Sequence, residues 1–150
     1  MAGSLKAQAI RLLARREYPR ADLEQRLIAK GADRAAVKDA LDDLARSGLL
    51  SDVRYAEALV RQKAGSYSRQ AIARTLKHKG VDAEVVDDAL QAISAHDDSE
   101  QAHALWTRRF GTLPGDERER ARHIRFLVSR GFTVDVALRV LRSVNPGEED

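Results

Sequence analysis

There is no cysteine in the chain, so disulfide scaffolds, thiolate metal sites and cysteine nucleophiles are excluded together. Aromatic residues make up only 5% and prolines number three, against 33% charged residues. That is too few rings for a large aromatic-lined pocket, and it is the balance of many thin amphipathic helices that each turn one charged face to water. Nowhere do about 18 apolar residues run uninterrupted, as a membrane helix requires. Met1 to Gln8 pass straight into an amphipathic pattern with no apolar signal core. A cytoplasmic protein that neither spans a membrane nor is exported is expected.

Catalytic signatures are missing as well. No GxxxxGK[ST], GxGxxG or GxSxG stretch occurs, which leaves phosphate-cradling loops and nucleophile elbows without support. The four histidines, His78, His96, His103 and His123, include no pair at the i, i+4 spacing of a helical zinc site. They read as surface or helix-edge residues. The carboxylate pairs Asp42-Asp43 and Asp87-Asp88 recur at one point of a repeat and read as solvated helix surface rather than as a general acid and base. No catalytic residue, metal or cofactor is expected, and the protein is read as a binder, not an enzyme.

What the sequence does contain is repetition. Lys30-Gly31-Ala32-Asp33 through Leu41 aligns without gaps on Lys79-Gly80-Val81-Asp82 through Leu90, and a third copy runs Arg130-Gly131-Phe132-Thr133 through Leu141. The glycines lie 49 and 51 residues apart. In each copy a basic residue closes one helix, the glycine takes the left-handed C-cap, and Asp33, Asp82 or Thr133 caps the next helix. After the cap, Val37 and Leu41, Val86 and Leu90, and Ala137 and Leu141 stand one turn apart on a single face. Before it, Leu23 and Leu27 match Ile72 and Leu76, with Ile124 and Leu127 in the third copy. A further helix precedes each pair, over Leu5 to Arg16, Asp52 to Ala64 and Ser99 to Phe110, with Ile10, Leu13, Tyr55, Leu59, Leu105 and Trp106 as its apolar members. Tyr18 and Tyr67, each thirteen residues before its glycine, fix the start of a middle helix. Trp106 and Phe110 anchor the third core. The expected fold is all-α: three tandem three-helix repeats, at 1–50, 51–97 and 98–144, stacked into an elongated, curved helical array, with a disordered tail at 145–150.

Net charge is only +3, but its distribution is uneven. Arg54 to Lys79 carries a local balance of +6 and Arg118 to Arg142 one of +5, while Asp82 to Asp98 holds six carboxylates and no Lys or Arg. With Ile72 and Leu76 buried, Gln70, Arg74 and Lys77 form an outward stripe at i, i+4, i+7 spacing. Arg118, Arg122 and Arg125 repeat it opposite Ile124 and Val128. Arg74 and Arg125 each stand six residues before their glycine, where the first copy has Gln25. Recurrence of cations at equivalent positions points to an anion-binding face, to which Arg54, Arg61, Lys63 and Arg69 are added as candidates.

The run Gly48-Leu49-Leu50-Ser51-Asp52-Val53-Arg54-Tyr55-Ala56-Glu57 and the later Arg69-Gln70-Ala71-Ile72-Ala73-Arg74-Thr75-Leu76-Lys77-His78-Lys79-Gly80-Val81 resemble the central pattern of the RecX family. Ala14 to Leu23 and Arg120 to Leu127 are similar to other family segments. Where many relatives have Gly-x-Gly-Pro, this chain has Gly65-Ser66-Tyr67-Ser68. The resemblance implies a small cytoplasmic protein that binds RecA, usually on the RecA–DNA filament, and restrains its recombinase and ATPase activity; a monomer is expected. Direct contact with DNA phosphates is a further expectation. A helical-repeat protein acting on DNA alone is the alternative, and a protein-only adaptor a third; steep salt dependence separates phosphate binding from apolar docking.

Overall fold

The computed structural model describes residues 4–93 and 98–145. Among them are nine helices: α1 (Leu5–Leu13), α2 (Arg20–Ala29), α3 (Arg34–Arg46), α4 (Asp52–Lys63), α5 (Arg69–His78), α6 (Ala83–Leu90), α7 (Asp98–Arg109), α8 (Glu117–Ser129) and α9 (Val134–Val144). No strand accompanies them in that range beyond one isolated bridge between Ala64 and Tyr67. The all-α fold of three-helix repeats expected from the glycine period is the one found. The expected tail lies, apart from Asn145, outside the described residues, as does His96.

The same turn closes α2, α5 and α8. Gly31, Gly80 and Gly131 have φ of +97°, +83° and +100°. In each case the glycine N–H donates to the carbonyl three residues back, and the next N–H donates to Leu27, Leu76 or Leu127 at 3.1–3.2 Å. This is the paired hydrogen bonding of a Schellman motif, and it satisfies carbonyls that the helix end would leave open. The following helix is then capped by Asp33, which accepts from the Ala36 N–H, and by Thr133, which accepts from the Val136 N–H, each at 3.1 Å. Pro19 stands at the N-cap of helix α2 and supplies no side-chain hydrogen bond to it. The Arg20 N–H donates instead to the Asp52 carboxylate at 2.8 Å, from the first turn of α4.

By packing, the chain divides into two compact units: Met1–Gln62 with Arg74–Leu90, and Lys63–Ala73 with Gln91–Asp150. In the first, α1, α2 and α3 pack together around Leu23, Leu27, Leu41 and Leu44, each at most 1% exposed. Full burial of such a side chain contributes roughly 1.5–3 kcal/mol. In the second, α7 and α8 pack on α9 around Trp106, Leu127, Phe132, Val140 and Leu141. Tyr18 is buried in the first core, with the Arg16 guanidinium over its ring.

Three expectations need correction. Ile10 is 40% exposed, and Ala9 supplies the buried position of α1. Helix α1 ends at Leu13, not Arg16: the Arg15 N–H tightens onto the Leu12 carbonyl, and the chain must reach the extended backbone of Pro19. In α8 the buried seam is His123 and Leu127, eight and four residues before Gly131, as Leu23 and Leu27 precede Gly31. Ile124 is only partly buried, and Val128 is 41% exposed.

Candidate anion-binding surface

On α5, Ile72 and Leu76 face inward at 1% and 0% exposure, and Gln70, Arg74 and Lys77 point away from them into solvent. On α8, Arg118, Arg122 and Arg125 lie opposite His123 and Leu127 in the same way, and all three are exposed. Arg61, Arg74, Lys77, Arg118 and Arg125 make no ion pair or hydrogen bond through their side chains among the described residues. An ammonium or guanidinium held out with no internal partner keeps its donors available to an external anion. The N-terminus of α8 also keeps two of its three acids occupied locally, leaving Glu117 exposed: Asp116 accepts from the Glu119 N–H at 2.8 Å, and Glu119 accepts from the Gly115 N–H at 2.7 Å.

Other predicted site residues are engaged. Arg54 donates to Glu17 at 2.9 Å, a half-exposed pair of the kind that contributes about 0–1 kcal/mol. Lys63 stands over the Tyr67 ring at 5.0 Å, and Arg130 lies against it at 4.8 Å. Arg69 is half-buried at the start of α5. Asp42, solvated by its sequence pattern, accepts in the fold from Arg20 at 2.6 Å and Lys38 at 3.0 Å. These two hydrogen bonds, that from Lys38 first, hold its carboxyl below the usual carboxylate range.

Arg11, Arg15 and Lys30 are among the exposed cations of the first unit that are absent from the sequence-based set. Arg11 and Arg15 of the α1 region line a shallow groove with Lys30. The i, i+4 spacing of the two arginines is the signal that marks them, although Arg15 lies in the turn just past Leu13, at the end of a first helix and not on a middle one.

The exposed donors of these cations suit an anion, and no cluster of three potential metal ligands occurs among the described residues. No helix among them is long and apolar enough to cross a membrane.

Comparison with known proteins follows the same three-part register. Residues 6–44, 51–90 and 96–141 match the family models described as RecX, first, second and third three-helix domain. The chain belongs to the RecX family. It is 43% identical over 139 residues to the "Regulatory protein RecX" of Leptothrix cholodnii, covering 93% of this chain and 88% of that one. Identity to the protein of the same name from Chromobacterium violaceum is 40% over 138 residues, 92% and 89% of the two chains. Crystal structures titled as regulatory protein RecX and as RecX from Lactobacillus salivarius share the fold. Each has a TM-score of 0.71, at 22% and 20% identity, covering 91% and 95% of this chain and 70% and 95% of theirs.

This RecX-family chain holds its Gly65-Ser66-Tyr67-Ser68 turn by side chains of the second unit. Arg108 donates to the Gly65 carbonyl and Arg130 to the Ser66 carbonyl. Ser68 is fully buried; its hydroxyl accepts from the Ala71 N–H at 3.0 Å to cap α5, and its N–H donates to the Arg130 carbonyl at 2.8 Å. The turn is therefore a structural joint within that unit.

His123, a surface residue by its sequence pattern, is instead 3% exposed. Its ring stacks on Phe110 at 3.7 Å, and its Nδ1 accepts from the Trp106 indole N–H at 3.1 Å. A buried indole donor needs an acceptor, which the leucine or isoleucine of the other repeats would not provide. The hydrogen bond places the ring proton on Nε2. Burial, and then the neighbouring Arg122, push the His123 imidazolium below its ordinary pKa, against a smaller opposing pull from Glu119. The folded state thus binds fewer protons than the unfolded one. This contribution to stability is full above the unfolded value of about 6.5 and is lost as pH falls toward the folded value. Urea unfolding followed by Trp106, the single tryptophan, should show a midpoint that declines between pH 7.5 and pH 5. His123→Leu should flatten that decline while lowering stability by about 1–3 kcal/mol at pH 7.5, where the indole donor is left unpaired, and by less at pH 5. An unchanged slope in the variant would assign the pH dependence elsewhere.

Proposed function

We infer that this protein binds RecA on its DNA filament and restrains the recombinase and ATPase activity of that filament. The observation that carries the reading is the repetition, on α5 and α8, of an exposed cation stripe opposite the buried seam, with most of its charges lacking a partner among the described residues. Membership of a family whose relatives are regulatory proteins supports it. Arg74, Lys77, Arg118, Arg122 and Arg125 are the principal contact residues, together with Arg61; Arg54, Lys63 and Arg69 play a smaller part because each already has a protein neighbour. The protein acts by occupancy, in the cytoplasm, as a monomer, without catalysis, metal or cofactor.

Contact with DNA phosphates fits the same stripes, because an arginine row suits a polyanion whether or not a protein carries it. Purified protein added to RecA hydrolysing ATP on single-stranded DNA should lower the hydrolysis rate in proportion to occupancy. Undiminished hydrolysis at saturating protein would sink the reading. Inhibition that follows only sequestration of bare DNA, with log affinity falling steeply against log salt, would favour the DNA-only alternative.

A further inference from the structure

The surface of the first repeat is of a different kind. Gln25 occupies the position held by Arg74 and Arg125 in the other two, so its middle helix has no cation stripe. At the end of α3, Gly48 has φ +83°, and the Leu49 N–H donates to the Leu44 carbonyl at 3.0 Å. In such a turn the apolar residue after the glycine ordinarily folds back on the helix it ends. Val81 and Phe132 do so, at 5% and 4% exposure. Leu49 does not: it stands 48% exposed while Leu50 beside it takes the buried place. Leu49 faces Ile10 and Leu13 across a groove whose lining also includes the paired Arg54 and Glu17. Ala14 is shared with the neighbouring groove of Arg11, Arg15 and Lys30, three exposed cations that have no side-chain partner among the described residues.

Single exposed leucines are ordinary, but an apolar pair fixed across a groove and flanked by three free cations is a composite surface. The hydrogen-bonded turn holds Leu49 in place in advance, so seating a partner against it would order little that is not already ordered. We propose that this face docks an acidic amphipathic helix of a protein partner, with an apolar side chain seated between Ile10 and Leu49 and carboxylates over Arg11, Arg15 and Lys30. Charge complementarity selects the acidic partner, and the aliphatic walls select a protein over a nucleic acid, whose phosphates would satisfy the cations and leave Ile10 and Leu49 in water. The docking follows the helix-in-groove mode, in which apolar anchors at helical spacing enter a preformed cleft. It rests on the proposed function only in naming RecA as the protein that carries the helix.

The test uses the full chain and a short helical peptide with leucine and glutamate on one face. In an NMR titration the peptide should shift the methyl resonances of Ile10, Leu13 and Leu49 and the amides of Arg11 and Arg15. Replacing the peptide leucines by serine, or its glutamates by lysine, should weaken binding at least about tenfold. The double substitution Ile10→Ser and Leu49→Ser should do the same while circular dichroism shows the helical fold kept, and should weaken binding to the RecA–DNA filament without altering binding to bare DNA. No shift at these residues with millimolar peptide, equal binding of the lysine peptide, or the same shifts arising from self-association without peptide would each overturn the assignment. A wild-type chain that ignores the filament while the peptide still fills the groove removes RecA as the partner and leaves the site standing.

Discussion

Reversing Arg74 and Lys77 to Glu, or Arg122 and Arg125 to Glu, is expected to weaken binding to the RecA–DNA filament by about a hundredfold for each pair, and to abolish inhibition when all four are reversed. Hydrogen bonds to charged groups contribute about 1.5–3 kcal/mol each, so even the lower figure, forfeited twice, corresponds to roughly two decades of affinity. Repulsion from the introduced carboxylates adds to this. The fold should survive, because all four side chains are exposed on the helix face away from the buried seam. Arg122 alone has a ring neighbour, Phe110, at 5.8 Å. If the anions are phosphates, the slope of log affinity against log salt should flatten by nearly one for each phosphate no longer neutralised. A suitable control is Asp87 and Asp88 to Asn, exposed on α6 with no side-chain partner among the described residues. Asp42 is unsuitable, since its carboxylate ties Arg20 to Lys38 and α3 and its removal would disturb the first core. Folded variants that still inhibit at wild-type concentrations would reduce the stripes to solvated helix faces.

Much of this surface is legible without coordinates because it depends on period alone. Once Ile72 and Leu76 are set inward, helical geometry leaves Arg74 and Lys77 no other direction. The same logic fails on α8, where a histidine occupies the core position of Leu23 and Ile72. Hydropathy passes over His123 and selects Ile124, one residue round the helix. What makes the histidine apolar in effect is a partner seventeen residues away, the indole N–H of Trp106, and no local pattern records that pairing. Exposed Leu49 and Ile10 escape the pattern for the converse reason: a hydrophobic residue is assigned to the core by type, whereas the Gly48 turn decides the direction of Leu49. Asp52, the first residue of α4 by sequence and in the fold, also caps α2 across 32 residues of sequence, a bond set by tertiary packing.

The three repeat glycines, equivalent by sequence, should differ sharply when changed to alanine. All have positive φ, where a Cβ costs about 1–2 kcal/mol through its clash with the backbone. At Gly31 that is the whole cost, because an added Cβ meets nothing within 4 Å. At Gly80 it would lie 2.9 Å from the Ala21 Cβ, so α2 must give way within the first unit. At Gly131 it would strike the Ser68 hydroxyl and lie 2.5 Å from the Ala71 Cβ. Neither neighbour can retreat freely. Ser68 is fully buried, caps α5 through its hydroxyl, and donates its N–H to the carbonyl of Arg130, the residue just before the glycine. Overpacking of about 1–3 kcal/mol therefore adds to the backbone strain, and relief by movement would sacrifice a cap or a buried hydrogen bond worth about 1 kcal/mol or more. The expected order of destabilisation is Gly31→Ala at about 1–2 kcal/mol, Gly80→Ala above it, and Gly131→Ala the largest at about 2–5 kcal/mol. Urea unfolding measures the series, with circular dichroism for all three and Trp106 fluorescence for the second unit, in which both Gly131 and Trp106 lie. Equal losses of stability at the three positions would mean that the caps act alone and that the close packing of Gly131 on the start of α5 contributes nothing.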